Sequence, residues 1–225
     1  LNRVYRNQIH MARELKGERL EKELLRLEVM KEFERQYEGC ALICGVDEAG
    51  RGPLAGPVVA GAAILPKDQV ILYLNDSKKL SEKRREELFL EVKEKAVAWS
   101  VGIVSPGRID EINILQATYE AMREAIKGLQ LVPDVLLNDA VTIPGIEITQ
   151  VPIIKGDAKS ISIAAASIIA KVYRDRLMKI YDKAYPGYGF ADHKGYPTEE
   201  HIKAIEKLGP TPIHRMSFAP LRKDN

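Results

Sequence analysis

Two carboxylates stand side by side at Asp47-Glu48, and just beyond them an arginine sits between two glycines, Gly50-Arg51-Gly52. Acids at the end of an apolar run lie where core meets solvent, and burying them unpaired is costly. A salt bridge to Arg51, protonation of one acid, or a divalent cation would each relieve that cost. The glycines allow positive φ and close approach of another backbone, while Pro53 and Pro57 fix their own φ and remove N–H donors. A loop whose remaining N–H groups are uncovered on one side suits phosphate oxygens or sugar hydroxyls. A plain tight turn between two strands is the alternative. No Gly-Lys-Ser/Thr follows, so this is not a nucleotide P-loop.

Two further acids occupy comparable places. Asp139 ends the short run Asp134 to Asp139, and Asp157 precedes an Ala/Ile-rich segment beginning at Ile161. At a helix N-terminus the macrodipole alone would favour Asp157 as a carboxylate. Asp47, Glu48, Asp139 and Asp157, from three separated segments, could also converge at one sheet edge. Such a cluster stays ionised only with cations, and oxygen-only ligands suit Mg²⁺ or Mn²⁺. Two such ions about 3.5–4 Å apart clamp a phosphodiester and activate a water. Ser77 and Lys78, just before a charged helix, offer a phosphate contact or merely a capping turn. Tyr196 lies in a basic, glycine-containing loop, where it could stack on a base or sugar or be a loop tyrosine without a role.

The elements that must position these residues follow from pattern. Ala41 to Val46 carries no charge and reads as a buried strand ending at the acids, and Val58 to Leu65 as a second. Ser81 is a good N-cap for a charged helix from Glu82 to about Lys95. Val97 to Val104 is a third strand; Pro106 opens a helix through Ile112, and Leu115 to Leu129 forms another. Strands follow over Asp134 to Asp139 and Ile148 to Ile154. The low side-chain bulk from Ile161 to Ile169 predicts a long helix packed closely on a sheet. Thr198 starts a last helix, which Gly209-Pro210 stops. The order is that of a mixed α/β domain, hairpin-like strands first and crossovers later.

Ahead of this domain, Leu20, Leu24, Leu27, Met30, Phe33 and Tyr37 recur at spacings of three and four, one apolar stripe on a helix. Residues 1–40 are therefore expected to be a helical extension docked on the main domain or on a partner. Residues 41–225 form the main domain, helical from about residue 185.

With 225 residues, 45% hydrophobic and 29% charged, the chain has the size and balance of a soluble globular protein. No membrane-length apolar run or signal-peptide pattern is present, which points to a cytoplasmic protein; it opens on Leu1 rather than Met, so a longer natural N-terminus is an open expectation. Cys40 and Cys44 read as core residues in a reducing compartment rather than as zinc ligands or a disulfide. Net charge is +2, but basic residues outnumber acids from Lys171 onward, which would suit a polyanion held near a cation site.

The run from Cys44 to Pro57 resembles the opening motif of type 2 ribonuclease H, the bacterial ribonuclease HII family. Further family blocks match in order: Asp76-Ser77-Lys78-Lys79-Leu80, Ile109-Asp110-Glu111-Ile112-Asn113, Lys155-Gly156-Asp157, Ala164 through Asp175, and His193-Lys194-Gly195-Tyr196-Pro197-Thr198. The resemblance implies a ribonuclease H-like mixed sheet flanked by helices, and an extension like that of Bacillus-like members. It implies that Asp47, Glu48, Asp139 and Asp157 are the catalytic acids holding two Mg²⁺ or Mn²⁺ ions. The backbone of Gly50, Arg51 and Gly52 would read the ribose 2′-hydroxyl. Tyr196 would pack on the sugar of the following deoxynucleotide, and Ser77 and Lys78 would touch substrate phosphates. The family usually has a hydrophobic residue before the third acid and glycine after it; this chain has Asn138 and Ala140.

The implied reaction is cleavage of the RNA strand of RNA–DNA hybrids, including incision 5′ to single ribonucleotides in duplex DNA, leaving 5′-phosphate and 3′-hydroxyl ends. A monomer without membrane attachment is expected. Three alternatives stand: the sister ribonuclease HIII type, a non-catalytic hybrid-binding module, and acids serving as structural calcium ligands.

Overall fold

The computed structural model describes residues 16–222. The first fifteen residues of the expected extension lie outside the described residues. Five strands make one sheet: β1 (Ile43–Ala49), β2 (Val58–Ile64), β3 (Ala98–Val104), β4 (Val135–Asp139) and β5 (Thr149–Ile153), in the order β3-β2-β1-β4-β5. β1, β2 and β3 pair antiparallel, whereas β4 runs parallel to β1 and β5 parallel to β4. Parallel pairing requires a crossover. Helix α4 (Pro106–Gly128) makes it between β3 and β4.

Seven helices are described. Besides α4 they are α1 (Glu18–Met30), α2 (Glu32–Gln36), α3 (Glu82–Lys95), α5 (Ile161–Ala184), α6 (Phe190–His193) and α7 (Glu199–Leu208). Alternation along β2 divides the core: Ala60 and Ala62 face Ala117, Ala121 and Met122 of α4, while Ala63 faces the α5 side with Ala164, Ala165 and Ile168. α5 lies very close to the sheet, because a Cβ on Gly45 or Gly61 would overlap the backbone of Ser162 or Ala166. The small-residue run seen in the sequence is what permits that approach.

The sequence-marked boundaries have local causes. Ser81, Ser105, Ser160 and Thr198 each cap a helix, accepting from the backbone N–H three residues on. α4 breaks at Asn113 (φ 67°), whose Oδ1 accepts from Leu115 and Gln116 N–H at 3.0 and 3.1 Å. This is the expected division between two helices at the middle of that segment.

Two expectations need correction. The apolar stripe from Leu20 to Tyr37 lies on two helices, broken at Lys31 (φ −93°, ψ 6°). The break lets one stripe reach two places: Leu27 and Met30 pack with Ile71 and Leu74, whereas Phe33 and Tyr37 pack beside Ile43, Val135 and Leu137. The first strand also does not stop before the acids. β1 continues through Ala49 because β2 pairs with it throughout, Asp47 opposite Gly61 and Glu48 opposite Ala60. No described helix is long and apolar enough to cross a membrane.

Candidate active site

The parallel register of β1 and β4 pairs Val46 with Asn138, so Asp47 and Asp139 follow at the same level on neighbouring strands. Beyond β5 the chain turns at Lys155 (φ 58°) into a 3₁₀ turn over Gly156–Ala158. The Gly156 N–H donates to Asp139 Oδ1 at 2.7 Å, which ties the turn carrying Asp157 to the end of β4. A second 3₁₀ turn, Ser77–Lys79, is capped by Asp76, whose Oδ1 accepts from the Lys78 N–H at 2.9 Å. Sheet pairing and two short turns thus bring together acids that are far apart in sequence.

The electrostatics of the group are strained. Burial, then the charges of Glu48 and Asp139, hold the Asp47 carboxyl well above the usual carboxylate range, against a hydrogen bond from Ser167. Burial also raises Glu48, although Arg51 opposes it from 3.5 Å. Asp157 is pushed up to about 6 by burial, then by the Asp76 and Asp139 charges. Asp157 precedes the Ser160 cap of α5, yet its shift is opposite to what a helix dipole would give. Burial comes first among the causes, and the neighbouring acids Asp76 and Asp139 add to it. Burial alone would lower the Lys78 ammonium, but Asp47, Asp157, Asp76 and Asp139 around it raise it.

Beside these acids a cleft of about 310 Å³ is lined by Glu48, Gly50, Arg51, Gly52, Ser77, Lys78 and Tyr196, together with Ser167, Lys171 and Arg174. Seven residues singled out in the sequence therefore share one cleft. Asp47, Asp139 and Asp157 are not in its lining and adjoin it through Glu48 and Lys78. The Ser77 hydroxyl is turned inward, 2.8 Å from that of Ser167, so it supports Ser167 and through it Asp47. Of the pair, Ser77 is buried and Lys78 is the exposed side chain at the cleft.

Two buried arginines hold the glycine loop in shape. Arg174 of α5 donates to the carbonyls of Pro57, Ala55 and Lys194 at 3.0, 2.9 and 2.9 Å. Arg215 donates to those of Gly56, Arg51 and Gly50 at 2.9, 2.9 and 2.6 Å. With its carbonyls drawn inward, the loop cannot be relaxed by ordinary residues. Gly50 has φ 96°, and a Cβ there would collide with the Arg174 side chain. The Tyr196 ring lies beside Gly52, and the Gly195 carbonyl accepts from the Leu54 N–H at 2.8 Å, joining the two loops.

Arg215, Arg174, Ser167 and Asp76 carried no role in the sequence reading. Asp76, Ser167 and Arg174 lay within the matched family blocks, and an arginine on a helix of small residues is a usable signal. Nothing local marks Arg215.

The model of the family described as Ribonuclease HII matches residues 44–221. The chain belongs to the ribonuclease HII family. A ribonuclease HII of Lachnoclostridium phytofermentans is 64% identical over 201 residues, covering 89% of this chain and 79% of that protein. One from Clostridioides difficile is 58% identical over 212 residues, covering 93% and 82%. Among solved structures, the ribonuclease H2 from Pyrococcus horikoshii superposes with a TM-score of 0.68 at 31% identity, covering 80% of this chain and 95% of that one. Membership makes the chain a nuclease of the ribonuclease H type, and the matched region begins at Cys44, inside β1.

Members of the family generally use divalent ions, and the donor chemistry here fits. The acids offer only oxygen, and three of them are held above their ordinary range by burial and mutual repulsion. A hard divalent cation relieves such repulsion. Among the described residues, however, no three His, Cys, Asp or Glu side chains are arranged to hold an ion as they stand.

Proposed function

We propose that this ribonuclease H, acting on the RNA strand of RNA–DNA hybrids, also incises 5′ to a single ribonucleotide embedded in duplex DNA. The observation that supports this is the joining of Tyr196 to the Gly50–Gly52 loop in a single cleft beside Glu48. A backbone loop held open by Arg174 and Arg215 can meet one 2′-hydroxyl. A tyrosine ring set beside it can meet the next sugar, so one ribonucleotide followed by DNA satisfies both.

Asp47, Glu48, Asp139 and Asp157 would hold Mg²⁺ or Mn²⁺. Bound there, two ions would supply an activated water and neutralise charge developing on the phosphodiester. The side chains do the rest. Ser167 and the Glu48 N–H orient the Asp47 carboxylate. Gly156 orients Asp139, and Lys78, kept cationic by its acidic neighbours, contacts a substrate phosphate. Ser77 contributes by supporting Ser167. The products are a 5′-phosphate and a 3′-hydroxyl. The same reading takes residues 1–40 as an extension to a catalytic domain over 41–225, in a cytoplasmic monomer.

The test is cleavage of a labelled DNA duplex carrying one ribonucleotide, with Mg²⁺, with Mn²⁺ and with chelator. A metal-dependent nick 5′ to the ribonucleotide is expected. Cutting confined to long RNA tracts would instead assign the ribonuclease HIII type of specificity. Hybrid binding without cleavage in either metal would leave a binding module.

A further inference from the structure

Behind Tyr196 lies a cluster that the proposed chemistry does not use. His201 and His214 are 0% and 2% exposed, and with His193 they pack around Phe190. The His193 and His201 rings stack with centroids 4.4 Å apart, and the Nε2 atoms of His201 and His214 are 3.1 Å apart.

Backbone partners decide where each proton sits. The Thr211 N–H donates to His214 Nδ1 at 2.8 Å, so a neutral His214 carries its proton on Nε2. That Nε2–H donates to His201 Nε2, which leaves the His201 proton on Nδ1. The Nδ1–H in turn donates to the Tyr196 carbonyl at 2.9 Å, which also accepts from the Thr198 N–H. His193 accepts from the Gly195 N–H through Nδ1 at 3.1 Å and donates from Nε2 to the Tyr188 carbonyl at 2.7 Å. Every ring nitrogen has a partner, His214 Nδ1 having two because the Thr211 hydroxyl also lies 2.8 Å from it, and the directed chain Thr211 to His214 to His201 ends on the peptide of Tyr196.

We propose that His201 is a positioning residue for substrate selection: in the tautomer imposed by His214, its Nδ1–H sets Tyr196 beside Gly52 and so sets the preference for an RNA-to-DNA junction. The proposal rests on the reading of Tyr196 given above. It concerns selection rather than bond cleavage. The four acids lie on β1, β4 and the 3₁₀ turn over Gly156–Ala158, and none of them belongs to this cluster.

The test compares kcat/KM on a single-ribonucleotide duplex with that on a long hybrid, for wild type, Tyr196→Ala, His201→Ala, His201→Asn, His201→Gln and the double variant Tyr196→Ala/His201→Ala. Loss of one buried hydrogen bond should lower the junction preference about tenfold in His201→Ala. Asn carries an amide where Nδ1–H stood and should restore most of that preference. Gln, whose amide reaches the Nε2 place instead, should not. The double variant should be no worse than Tyr196→Ala alone.

If Tyr196→Ala keeps the preference, the reading of Tyr196 fails. If Tyr196→Ala loses it while His201→Ala keeps it, or if the two losses add, the positioning proposal is overturned. A measurement on the unaltered protein guards against variants that do not fold: imidazole ¹⁵N shifts should place the proton on Nδ1 of His201 and Nε2 of His214. The opposite tautomer at His201 also overturns the proposal.

Discussion

The Arg215 Nη2 donates to the Gly50 carbonyl at 2.6 Å across 165 residues of sequence. The same guanidinium reaches Gly56 and Arg51, so the C-terminal segment shapes the loop that follows the first two acids. Burial, and then the charge of Arg174, pull the Arg215 pKa down to about 9, a strain its carbonyl bonds offset. Removing the guanidinium orphans the buried Gly50 and Gly56 carbonyls. At about 1–3 kcal/mol for each orphaned group, Arg215→Met should lose roughly 2 kcal/mol or more in urea unfolding. Arg215→Lys should recover only part, because an ammonium lacks the planar fork. A loss well below 1 kcal/mol for Arg215→Met would show that water replaces the clamp.

Asp47→Asn should abolish cleavage and leave hybrid binding largely intact. It should also raise the melting temperature of the metal-free protein, since it removes the buried charge that Glu48 and Asp139 repel. Its Oδ1 can still accept from the Glu48 N–H, which now lies at 2.7 Å. Mg²⁺ or Mn²⁺ should stabilise wild type more than the variant in thermal melts. Wild-type activity in Asp47→Asn would refute its assignment as a metal ligand.

Ala140, directly after Asp139, has φ 58°, a left-handed conformation that costs an L-residue about 1–2 kcal/mol. Glycine removes that strain but gains chain entropy on unfolding. Ala140→Gly should therefore be stabilising by about 0.5–1 kcal/mol, read as a higher urea midpoint at unchanged slope. A lower midpoint would mean that the Ala140 methyl packs more favourably than its backbone is strained.

The histidine cluster predicts acid sensitivity. Burial, and then the His201 charge, hold His214 down to about 4, and burial lowers His201 as well. Between about 4 and the ordinary histidine value near 6.5 the unfolded chain binds more protons, so this contribution is complete above about 6.5 and lost as pH falls through that window. Asp157, raised to about 6, acts in the opposite direction: there the folded state binds the extra proton. Comparing wild type with His214→Asn by thermal melts between pH 4 and 7 separates the two. The variant should lose less stability on acidification, and an identical pH profile would show that His214 does not contribute.

The elements around the candidate site were legible in the sequence wherever a local rule applied. Asp47 and Glu48 beside glycines and prolines, the small-residue run of α5, the helix caps and the divided α4 all depend on residues within a few positions of one another. The apolar stripe was visible as well, but the break at Lys31 was not, because it depends on two separate surfaces to be covered. The surroundings of Asp157 were hidden for a similar reason: Asp76 and Asp139, distant in sequence, are its neighbours in space.

What the sequence alone determined was therefore the succession of elements and the chemistry available at their ends, since propensity, periodicity and capping act over one or two turns. Tertiary structure decided which ends meet. Parallel pairing put Asp139 level with Asp47, the fold turned Ser77 inward onto Ser167, and Arg215 came to lie under Gly50. Hydrogen bonds and charge repulsion act through space, so partners that many residues apart leave no periodic or local mark in the chain.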